Sequence, residues 1–404
     1  MKKGANGRSS IYKDTDGWHG WVSFGEDAAG RRRRKHVRGQ TKAAVAEKVA
    51  RLERQRDAGY VADRPVSVSE WLELWIDART TAGARPKTLE GYRTDQRHIV
   101  ACLGGVRLDK LTPGHVDQLW KSVLGTGAGP ATCAHVRRTL SAALNAAVDR
   151  GHLARNPVRA SDAPCYSAPE FEPLSPEEAR RVLEVASSRP NAARWSVALA
   201  LGLRQAEALG LRWEDIDLDK GTLAVRAQLQ HLAWQHGCGT AAAQTCGRDP
   251  GRCPDKRGGG PVLVPLKSAS GRRTLALPAP LAAQLVDHRA RQYQDKRLQT
   301  GWVGDLVFTR ADGAPIRKET DSAEWHRILN LAGIRQARLH DARHTAATLL
   351  LVQGVPSGVA MRLLGHADVR ILARYQHVID EAARGAADRL AATLWREPPD
   401  MSPF

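Results

Sequence analysis

Two proline-containing segments without hydrophobic periodicity divide this 404-residue chain into three parts. The first spans residues 61–65, and the second, rich in Pro, Ser and Ala, spans residues 156–173. Such composition is typical of linkers, and a chain of this length exceeds what one hydrophobic core usually organises. The sequence therefore predicts three domains, over residues 1–60, 66–157 and 174–397. We expect an α+β protein that is mainly α.

The charge balance indicates a polyanionic partner. The chain has 61 Lys and Arg residues against 43 Asp and Glu residues, which gives a formal net charge of +18. Nucleic acid is the commonest partner of so basic a protein. A merely soluble protein of high isoelectric point is the alternative.

Nothing in the sequence indicates a membrane partner. The longest apolar run, residues 195–203, has nine residues, whereas a membrane-spanning helix needs about 20. The first ten residues are basic but contain no apolar signal segment. These features predict a cytoplasmic protein. Because thiols stay reduced there, we do not expect the six cysteines to form a disulfide framework.

The first sixty residues predict a small β-sheet with one helix. Residues 10–13 and 18–24 have strand character, and Thr41 is a candidate N-cap for a helix over 42–57. A third stretch of this part is strongly basic and contains Arg31, Arg32, Arg33, Arg34 and Lys35. Since side chains alternate along a strand, these guanidinium groups would occupy both faces, which suits contacts with phosphates or a groove. A solvated edge strand or a disordered basic arm is the alternative.

Residues 66–157 predict a bundle of four helices, over 68–82, 87–100, 112–124 and 131–150. Pro86, Pro113 and Pro130 lie at or near helix starts, where the missing N–H costs nothing. Gly151 fits a helix C-cap. The basic side chains that we consider able to face DNA are Arg93, Arg97, Arg137 and Arg138, although exposed helix arginines need no such purpose.

The part over 174–397 predicts mostly helices around a small β region. Its first helix begins at the N-cap pattern Ser175-Pro-Glu-Glu178, two further helices cover 340–352 and 356–375, and a last helix covers 380–396. Four segments of this part are unusual. They are Leu-Gly-Leu-Arg204-x-x-Glu207; the stretch 265–278, which predicts a hairpin with Lys267 near its tip; His340-Asp-x-Arg343-His344-Thr345; and Leu-Gly-His366 with Tyr375 nine positions further on. On a helix, His340, Arg343 and His344 share one face. A histidine beside a permanently charged arginine suits a phosphate better than a metal. Taken singly, each segment has an ordinary explanation, such as a core ion pair between Arg204 and Glu207.

The order of these segments resembles that of the tyrosine recombinase (phage integrase) family. The resemblance covers residues 174–397, and the two upstream parts are similar to the arm-binding and core-binding domains of that family. It implies a small β-sheet plus helix at the N-terminus, a helical-bundle core-binding domain and a mixed, mostly helical catalytic domain. One departure is the run from Arg370 to Leu372, where many members have small hydroxyl residues.

The resemblance also implies a role for each residue. Tyr375 is the nucleophile that forms a 3′-phosphotyrosine, Lys267 is the general acid, and His340 takes or shares the tyrosine proton. Arg204, Arg343 and His366 bind the scissile phosphate. No metal or nucleotide cofactor is required. The implied partners are double-stranded DNA attachment sites, further copies of the chain in a tetramer on DNA, and accessory DNA-bending or excision factors.

The family resemblance does not explain an insertion that contains His236, Cys238, Cys246 and Cys253. Three cysteines and one histidine suffice for a structural zinc site. There is no Cys-x-x-Cys pair, however, and a flexible loop with free thiols is the alternative.

Two rival functions fit parts of the sequence. A DNA-binding regulator or accessory factor without catalysis would keep the basic domains, but it would not need Arg204, His340, Arg343, His366 and Tyr375 in this order. A type IB topoisomerase would use similar groups to relax supercoils. The separate basic N-terminal part favours recombination.

Overall fold

The computed structural model describes residues 9–26, 30, 32–57, 66–167, 172–240, 243–266, 271–298, 304–365 and 394. The chain forms two compact units, residues 1–168 and 169–404. The boundary between them falls within the second predicted linker. In the part of the chain that these ranges cover, no helix is both long and apolar enough to cross a membrane.

The chain begins with a three-stranded antiparallel sheet and one helix, as the sequence predicts. The elements are β1 (Ser10–Asp14), β2 (Gly17–Glu26), β3 (Arg32–Gly39) and α1 (Lys42–Asp57), with the strands in the order β1-β2-β3. Val22 and Phe24 of the sheet pack with Val45 and Val49 of the helix. The predicted N-cap is confirmed, because the Thr41 hydroxyl accepts a hydrogen bond from the Ala44 N–H at 3.2 Å.

Four helices follow, and their predicted positions are confirmed to within a few residues. They are α2 (Val68–Thr81), α3 (Pro86–Leu103), α4 (Pro113–Gly125) and α5 (Pro130–Asp149), with 3-10 turns at Leu108–Lys110 and Pro157–Ala160. Their apolar faces form one core that includes Trp71, Trp75 and Leu140. The buried Trp71 indole donates to the Ala143 carbonyl at 2.9 Å, so α2 and α5 are joined by a hydrogen bond as well as by packing.

The second unit is mostly helical. Its helices in the described ranges are α6 (Pro176–Ser187), α7 (Ala192–Ala200), α8 (Gln205–Leu209), α9 (Ala279–Leu298), α10 (Lys318–Leu331), α11 (Leu339–Val352) and α12 (Ser357–Leu364), with 3-10 turns at Trp213–Asp215 and Pro250–Arg252. The predicted start of α6 is confirmed, since Ser175 and Glu178 form a reciprocal capping box. Trp195 and Trp325 stack in one of the cores of this unit, with ring centroids 5.9 Å apart.

Short strands lie between α8 and α9. In chain order they are β4 (Ile216–Asp217), β5 (Thr222–Val225), β6 (Ala227–Leu232), β7 (Gln235–His236), β8 (Gly239–Thr240), β9 (Ala243–Gln244), β10 (Lys256–Arg257), β11 (Gly260–Pro265) and β12 (Arg273–Ala276). The predicted β region is therefore present. Three of its strands form an antiparallel sheet in the order β12-β5-β4.

The hairpin predicted over 265–278 is wrong. β11 pairs with β6, and β12 pairs with β5, so the two strands on either side of Lys267 have different partners. The partners β5 and β6 are separated by Arg226 alone, and together they form a nearly continuous template for both strands. Short sequence separation favours a hairpin, but here this longer template determines the pairing. Lys267 itself lies outside the described residues.

The predicted helix over 356–375 is shorter in its described part. α12 ends at Leu364, and Gly365 follows it in the left-handed conformation with φ of 65°, as expected of a glycine that terminates a helix. The later part of that prediction, the run from Arg370 to Leu372, and nearly all of the predicted last helix over 380–396 lie outside the described residues.

Candidate active site

The His-Asp-x-Arg-His-Thr motif forms the start of α11. The Arg338 N–H donates to the Asp341 carboxylate at 2.8 Å, which caps the helix. The Thr345 hydroxyl donates to the Asp341 carbonyl and accepts from the Leu174 N–H, both at 3.0 Å. Asp341 and Thr345 therefore fix where α11 begins and how the chain enters this unit.

Arg343 is buried, with 2% of its surface exposed. Its guanidinium donates to the Gly202 carbonyl at 2.6 Å and also to the Leu364 carbonyl. Gly202 adopts φ of +59°, and a Cβ there would lie 2.5 Å from the Leu364 side chain. A glycine at this position therefore lets the 201–204 segment approach the end of α12 closely.

Arg204 lies at the start of α8 and is half-buried, with 39% of its side chain exposed. The apolar sequence around Arg204 favours a buried side chain, but in the structure it is only half-buried. The guanidinium donates to the Glu207 carboxylate at 2.7 Å, so the ion pair considered from the sequence is present. It also donates to the Gly365 carbonyl at 3.3 Å.

The two arginines meet at the end of α12. Arg343 donates to the carbonyl of Leu364, and Arg204 donates to the carbonyl of Gly365. Consecutive Cα atoms lie about 3.8 Å apart, so the two guanidinium groups are neighbours although 139 positions separate them in the sequence. The next residue in the chain is His366. Such an arrangement concentrates forked N–H donors and positive charge, which is the chemistry that binds a phosphate.

Arg273, which lies in the 265–278 stretch but is not among the predicted site residues, completes this network. Its guanidinium donates to Glu207 at 3.0 Å and to the Leu363 carbonyl at 2.7 Å. On β12, Arg273 is two residues from the buried Leu275 and shares its face. Strand alternation was the signal that could have indicated a buried arginine here.

Glu207 is the anionic centre of the network. Burial acts to raise the pKa of its carboxyl group, but the combined charges and hydrogen bonds of Arg273 and Arg204 outweigh burial, so the pKa lies below its ordinary value. The carboxylate is therefore ionised at neutral pH. It accepts one arginine on each oxygen and so holds Arg204 in position without neutralising both cations.

His340 lies on the exposed side of α11, one turn before the buried His344. The two rings meet edge to face, with centroids 4.9 Å apart. Desolvation by neighbouring atoms and then the positive charge of Arg343 lower the pKa of His340, and Arg204 contributes in the same direction. At neutral pH the imidazole is therefore uncharged, and it has a nitrogen that can accept a proton.

The structure brings together three of the six predicted catalytic residues, namely Arg204, His340 and Arg343. The other three, Lys267, His366 and Tyr375, lie outside the described residues. Two of them directly follow described segments in the sequence. Lys267 comes two residues after β11 ends, and His366 directly follows the carbonyl that Arg204 contacts.

Strand β3 presents its basic side chains on alternate faces. Arg32 and Arg34 are exposed on the face away from α1, whereas Arg33 and Lys35 lie half-buried on the side of the helix. On the open face, Tyr12, His19, Trp21 and His36 form a row of neighbouring rings with centroids 4.6–5.5 Å apart. Arg31 lies outside the described residues. The predicted two-sided distribution is therefore present for the other four basic residues.

The four basic candidates in the helical bundle are all exposed, namely Arg93 and Arg97 on α3 and Arg137 and Arg138 on α5. These two helices pack together, and the Thr139 hydroxyl donates to the Asp95 carboxylate at 2.5 Å.

The four metal-ligand candidates also converge in the structure. One ligand atom from each of His236, Cys238, Cys246 and Cys253 lies within 4.8 Å of the others.

Comparison with known proteins identifies the family. The chain is 39% identical over 425 aligned residues to an integrase of Saccharopolyspora erythraea, and the alignment covers 96% of this chain and 97% of that protein. The chain belongs to the phage integrase family.

Other comparisons agree with this membership. The model of the phage integrase family matches residues 262–382, a range that contains His340 and Arg343 as well as positions 267, 366 and 375. A tyrosine recombinase XerC-like protein of Caldanaerobacter subterraneus is 28% identical, with 91% of this chain and 94% of that protein covered. As a phage integrase, the protein is a site-specific tyrosine recombinase.

Solved integrase structures have the same fold. The Tn1549 transposon integrase in complex with a circular intermediate DNA matches with a TM-score of 0.64 at 18% identity, covering 81% of this chain and 100% of that chain. A lambda integrase tetramer bound to a Holliday junction matches with a TM-score of 0.52 at 18% identity, covering 89% of this chain and 95% of that chain. The α+β, mainly α, fold class predicted for this phage integrase is thereby confirmed.

Proposed function

We propose that this integrase cleaves DNA with Tyr375 and rejoins it with a second duplex, using Arg204, Lys267, His340, Arg343 and His366. The Tyr375 oxygen attacks the scissile phosphorus while the bond from phosphorus to the 5′-oxygen breaks. The products are a 3′-phosphotyrosine and a 5′-hydroxyl, which receives a proton from Lys267. Attack by the 5′-hydroxyl of a partner duplex reverses the step. One ester replaces another, so the reaction needs no external energy source.

The neighbouring guanidinium groups of Arg204 and Arg343 are the observation that carries this proposal. Both donate to the carbonyls that directly precede His366. A phosphate bound beside them would receive charge-assisted hydrogen bonds, which become stronger as negative charge develops in the pentacoordinate transition state. A DNA-binding regulator without catalysis would have no use for two arginines that converge in this way.

The environment of His340 supports its role as proton acceptor. A free tyrosine has a pKa near 10, so Tyr375 needs a group that takes its proton during attack. The pKa of His340 is lowered, first by desolvation and then by Arg343. An uncharged imidazole at neutral pH fits this requirement. General-base assistance of this kind typically contributes about 10²–10⁴-fold to a rate.

The proposal assigns DNA contacts to three parts of the chain. Residues 1–60 bind outlying arm-type sites through Arg31 to Lys35, residues 66–157 bind the core site through the exposed arginines of α3 and α5, and residues 174–397 perform the chemistry. The open face of the N-terminal sheet, with exposed arginines beside a row of aromatic rings, supports the first assignment. Such a face offers charge for phosphates and flat surfaces for groove contacts.

Recombination of two duplexes needs four strand cleavages, and we propose that four copies of the chain assemble on DNA. The lambda integrase tetramer on a Holliday junction supports this assembly. Accessory DNA-bending or excision factors would set the direction of the reaction.

The test is covalent trapping on a suicide DNA substrate that carries a nick next to the cleavage point. Wild-type protein is expected to form a covalent protein–DNA adduct, and Tyr375→Phe is expected to form none while binding the same DNA. Arg204→Ala should also lose the adduct and keep DNA binding, because Arg204 is half-exposed and its removal leaves Glu207 paired with Arg273.

One control variant and two contradicting outcomes complete the test. Tyr293→Phe changes an exposed tyrosine outside the proposed site and should leave adduct formation unchanged. Full adduct formation by Tyr375→Phe would reject the assignment of the nucleophile. Relaxation of supercoiled DNA without exchange between two sites would instead indicate topoisomerase activity.

A further inference from the structure

The segment between β6 and β11, which we call the Cys/His insertion (residues 233–259), has almost no hydrophobic core. Among residues 233–239 and 245–259, Cys253 is the one buried side chain, and 3% of its surface is exposed. The regular structure is limited to strands of two residues and one 3-10 turn. A segment of this size cannot be held by apolar burial alone and usually needs a disulfide or a metal.

Four potential ligands meet inside this insertion. The Nδ1 atom of His236 lies 3.7 Å from the sulfur of Cys238 and 3.4 Å from the sulfur of Cys246, and the sulfurs of Cys238 and Cys253 are 3.4 Å apart. Bond lengths of about 2.3 Å to sulfur and about 2.0 Å to nitrogen place tetrahedral ligand atoms about 3.5–3.8 Å from each other. The three separations of 3.4–3.7 Å are close to the edges of one coordination tetrahedron, and all four ligand atoms lie within 4.8 Å of one another.

The backbone around these residues brings the ligands to one point. β7, which contains His236, pairs with β10, and β8 pairs with β9, so that Cys238 and Cys246 flank the same, open end of the second ladder. The Gly237 N–H donates to the Asp255 carbonyl at 2.6 Å, and a Cβ on Gly237 would overlap that carbonyl. The turn Pro250–Arg252 then delivers Cys253. The donors thus come from three separate pieces of backbone.

We propose that the Cys/His insertion binds one structural Zn²⁺ ion through His236, Cys238, Cys246 and Cys253. Three thiolate sulfurs and one imidazole nitrogen in tetrahedral arrangement are typical zinc ligands. Mg²⁺ and Ca²⁺ prefer oxygen ligands and do not suit this set. All four positions are filled by protein atoms, so the site is closed and has a structural role. Zinc binding releases the protons of the thiols that coordinate it.

The site would hold one end of the β6–β11 ladder together. That ladder runs from the pair Leu232–Gly260, next to the insertion, to the pair Ala227–Pro265, two residues before Lys267. Trp234 covers the junction: Gly259 and Gly260 lie against its ring, and the Lys256 ammonium is 4.7 Å from the ring centroid. Zinc would therefore stabilise the strand that leads to the proposed general acid, although it takes no part in the chemistry.

Metal analysis of the full chain, purified without chelator, tests this proposal. Wild-type protein should contain about one zinc per chain, and Cys246→Ser and Cys253→Ser should each lose most of it. Cys165→Ser changes an exposed thiol outside the insertion and should keep one zinc. His236→Cys replaces one zinc ligand by another and should retain the metal, whereas His236→Ala should not.

Two further measurements separate loss of metal from loss of folding. Circular dichroism should show that Cys246→Ser keeps the helices of both units, since the insertion contributes no α-helix in its described ranges. Binding of added Co²⁺ should give the visible absorption of tetrahedral thiolate coordination in wild-type protein and not in Cys246→Ser. The proposal is overturned if wild-type protein contains less than about 0.2 zinc per chain and does not take up Co²⁺, or if Cys238 and Cys253 are found in a disulfide.

Discussion

Glu207 accepts a hydrogen bond from Arg273, 66 residues further along the chain, and both side chains are almost completely buried. The pair joins α8 to β12, and its other bonds reach Arg204 and the end of α12. The position of the proposed phosphate-binding arginine therefore depends on an ion pair that is not itself expected to touch DNA.

Glu207→Gln should destabilise the second unit. The substitution leaves the buried Arg273 without its counter-charge, and breaking a buried ion pair in this way costs about 3–5 kcal/mol. Urea unfolding is the measurement, with Glu177→Gln as control, because Glu177 forms an exposed pair with Arg180 and should change stability by less than about 1 kcal/mol. Equal stability of the two variants would contradict the central role of Glu207. Because the folded-state pKa of Glu207 is lowered, its contribution is present above its unfolded pKa and is lost as the pH falls through the folded value.

Gly202→Ala should impair both stability and cleavage. Alanine at φ of +59° is strained by about 1–2 kcal/mol, and the new Cβ would lie 2.5 Å from Cδ2 of the buried Leu364, so that this side chain must leave its packed position at the end of α12. Gly221→Ala is a matched control, because Gly221 has φ of +60° with nothing within 4 Å of the added Cβ. It should show the backbone strain alone. We expect thermal unfolding and adduct formation to separate the two variants, and identical behaviour would show that the contact with Leu364 is unimportant.

The pH dependence of cleavage should report His340. Its pKa lies below the ordinary value of about 6.5 because of desolvation and Arg343, so the active neutral form persists to more acidic pH. The single-turnover cleavage rate should stay level from about pH 8 to about pH 6.5 and decline only below that range. His340→Asn should lower the rate by about 10²–10⁴-fold and remove the decline. An unchanged acidic limb in the variant would assign it to another group.

Replacing Arg32 and Arg34 together by alanine should weaken binding to outlying DNA sites. Both arginines are exposed on the open face of the N-terminal sheet, and each lost phosphate contact reduces the slope of log K against log salt by about 0.9. We expect the slope to fall by about 2 on arm-site DNA. Core-site DNA without outlying sites is the control and should show no change. The quadruple change of Arg31 to Arg34 should have a larger effect, and an unaltered salt slope would reject the arm-binding assignment.

Much of this fold could be read from local sequence signals. The caps Thr41 and Ser175, the prolines at the starts of α3, α4 and α5, and Gly365 after α12 each determine an element through contacts within one helical turn. Family motifs singled out Arg204, His340 and Arg343, because each motif is a short stretch whose spacing can be read locally. These features depend on backbone conformations that neighbouring residues alone select.

Tertiary structure alone decided which distant groups meet. Pro265 and Arg273 are close in sequence, yet their strands pair with β6 and β5 instead of with each other. Arg273 belongs to the site because β12 directs its side chain toward the buried Glu207. Arg343 lies beside Arg204 because Gly202 allows the end of α12 to approach closely. The Cys/His cluster formed through short ladders that have little propensity of their own. In each of these pairings, the entropy cost of closing a long loop is offset by buried ion pairs or by packing. That balance depends on the whole folded unit.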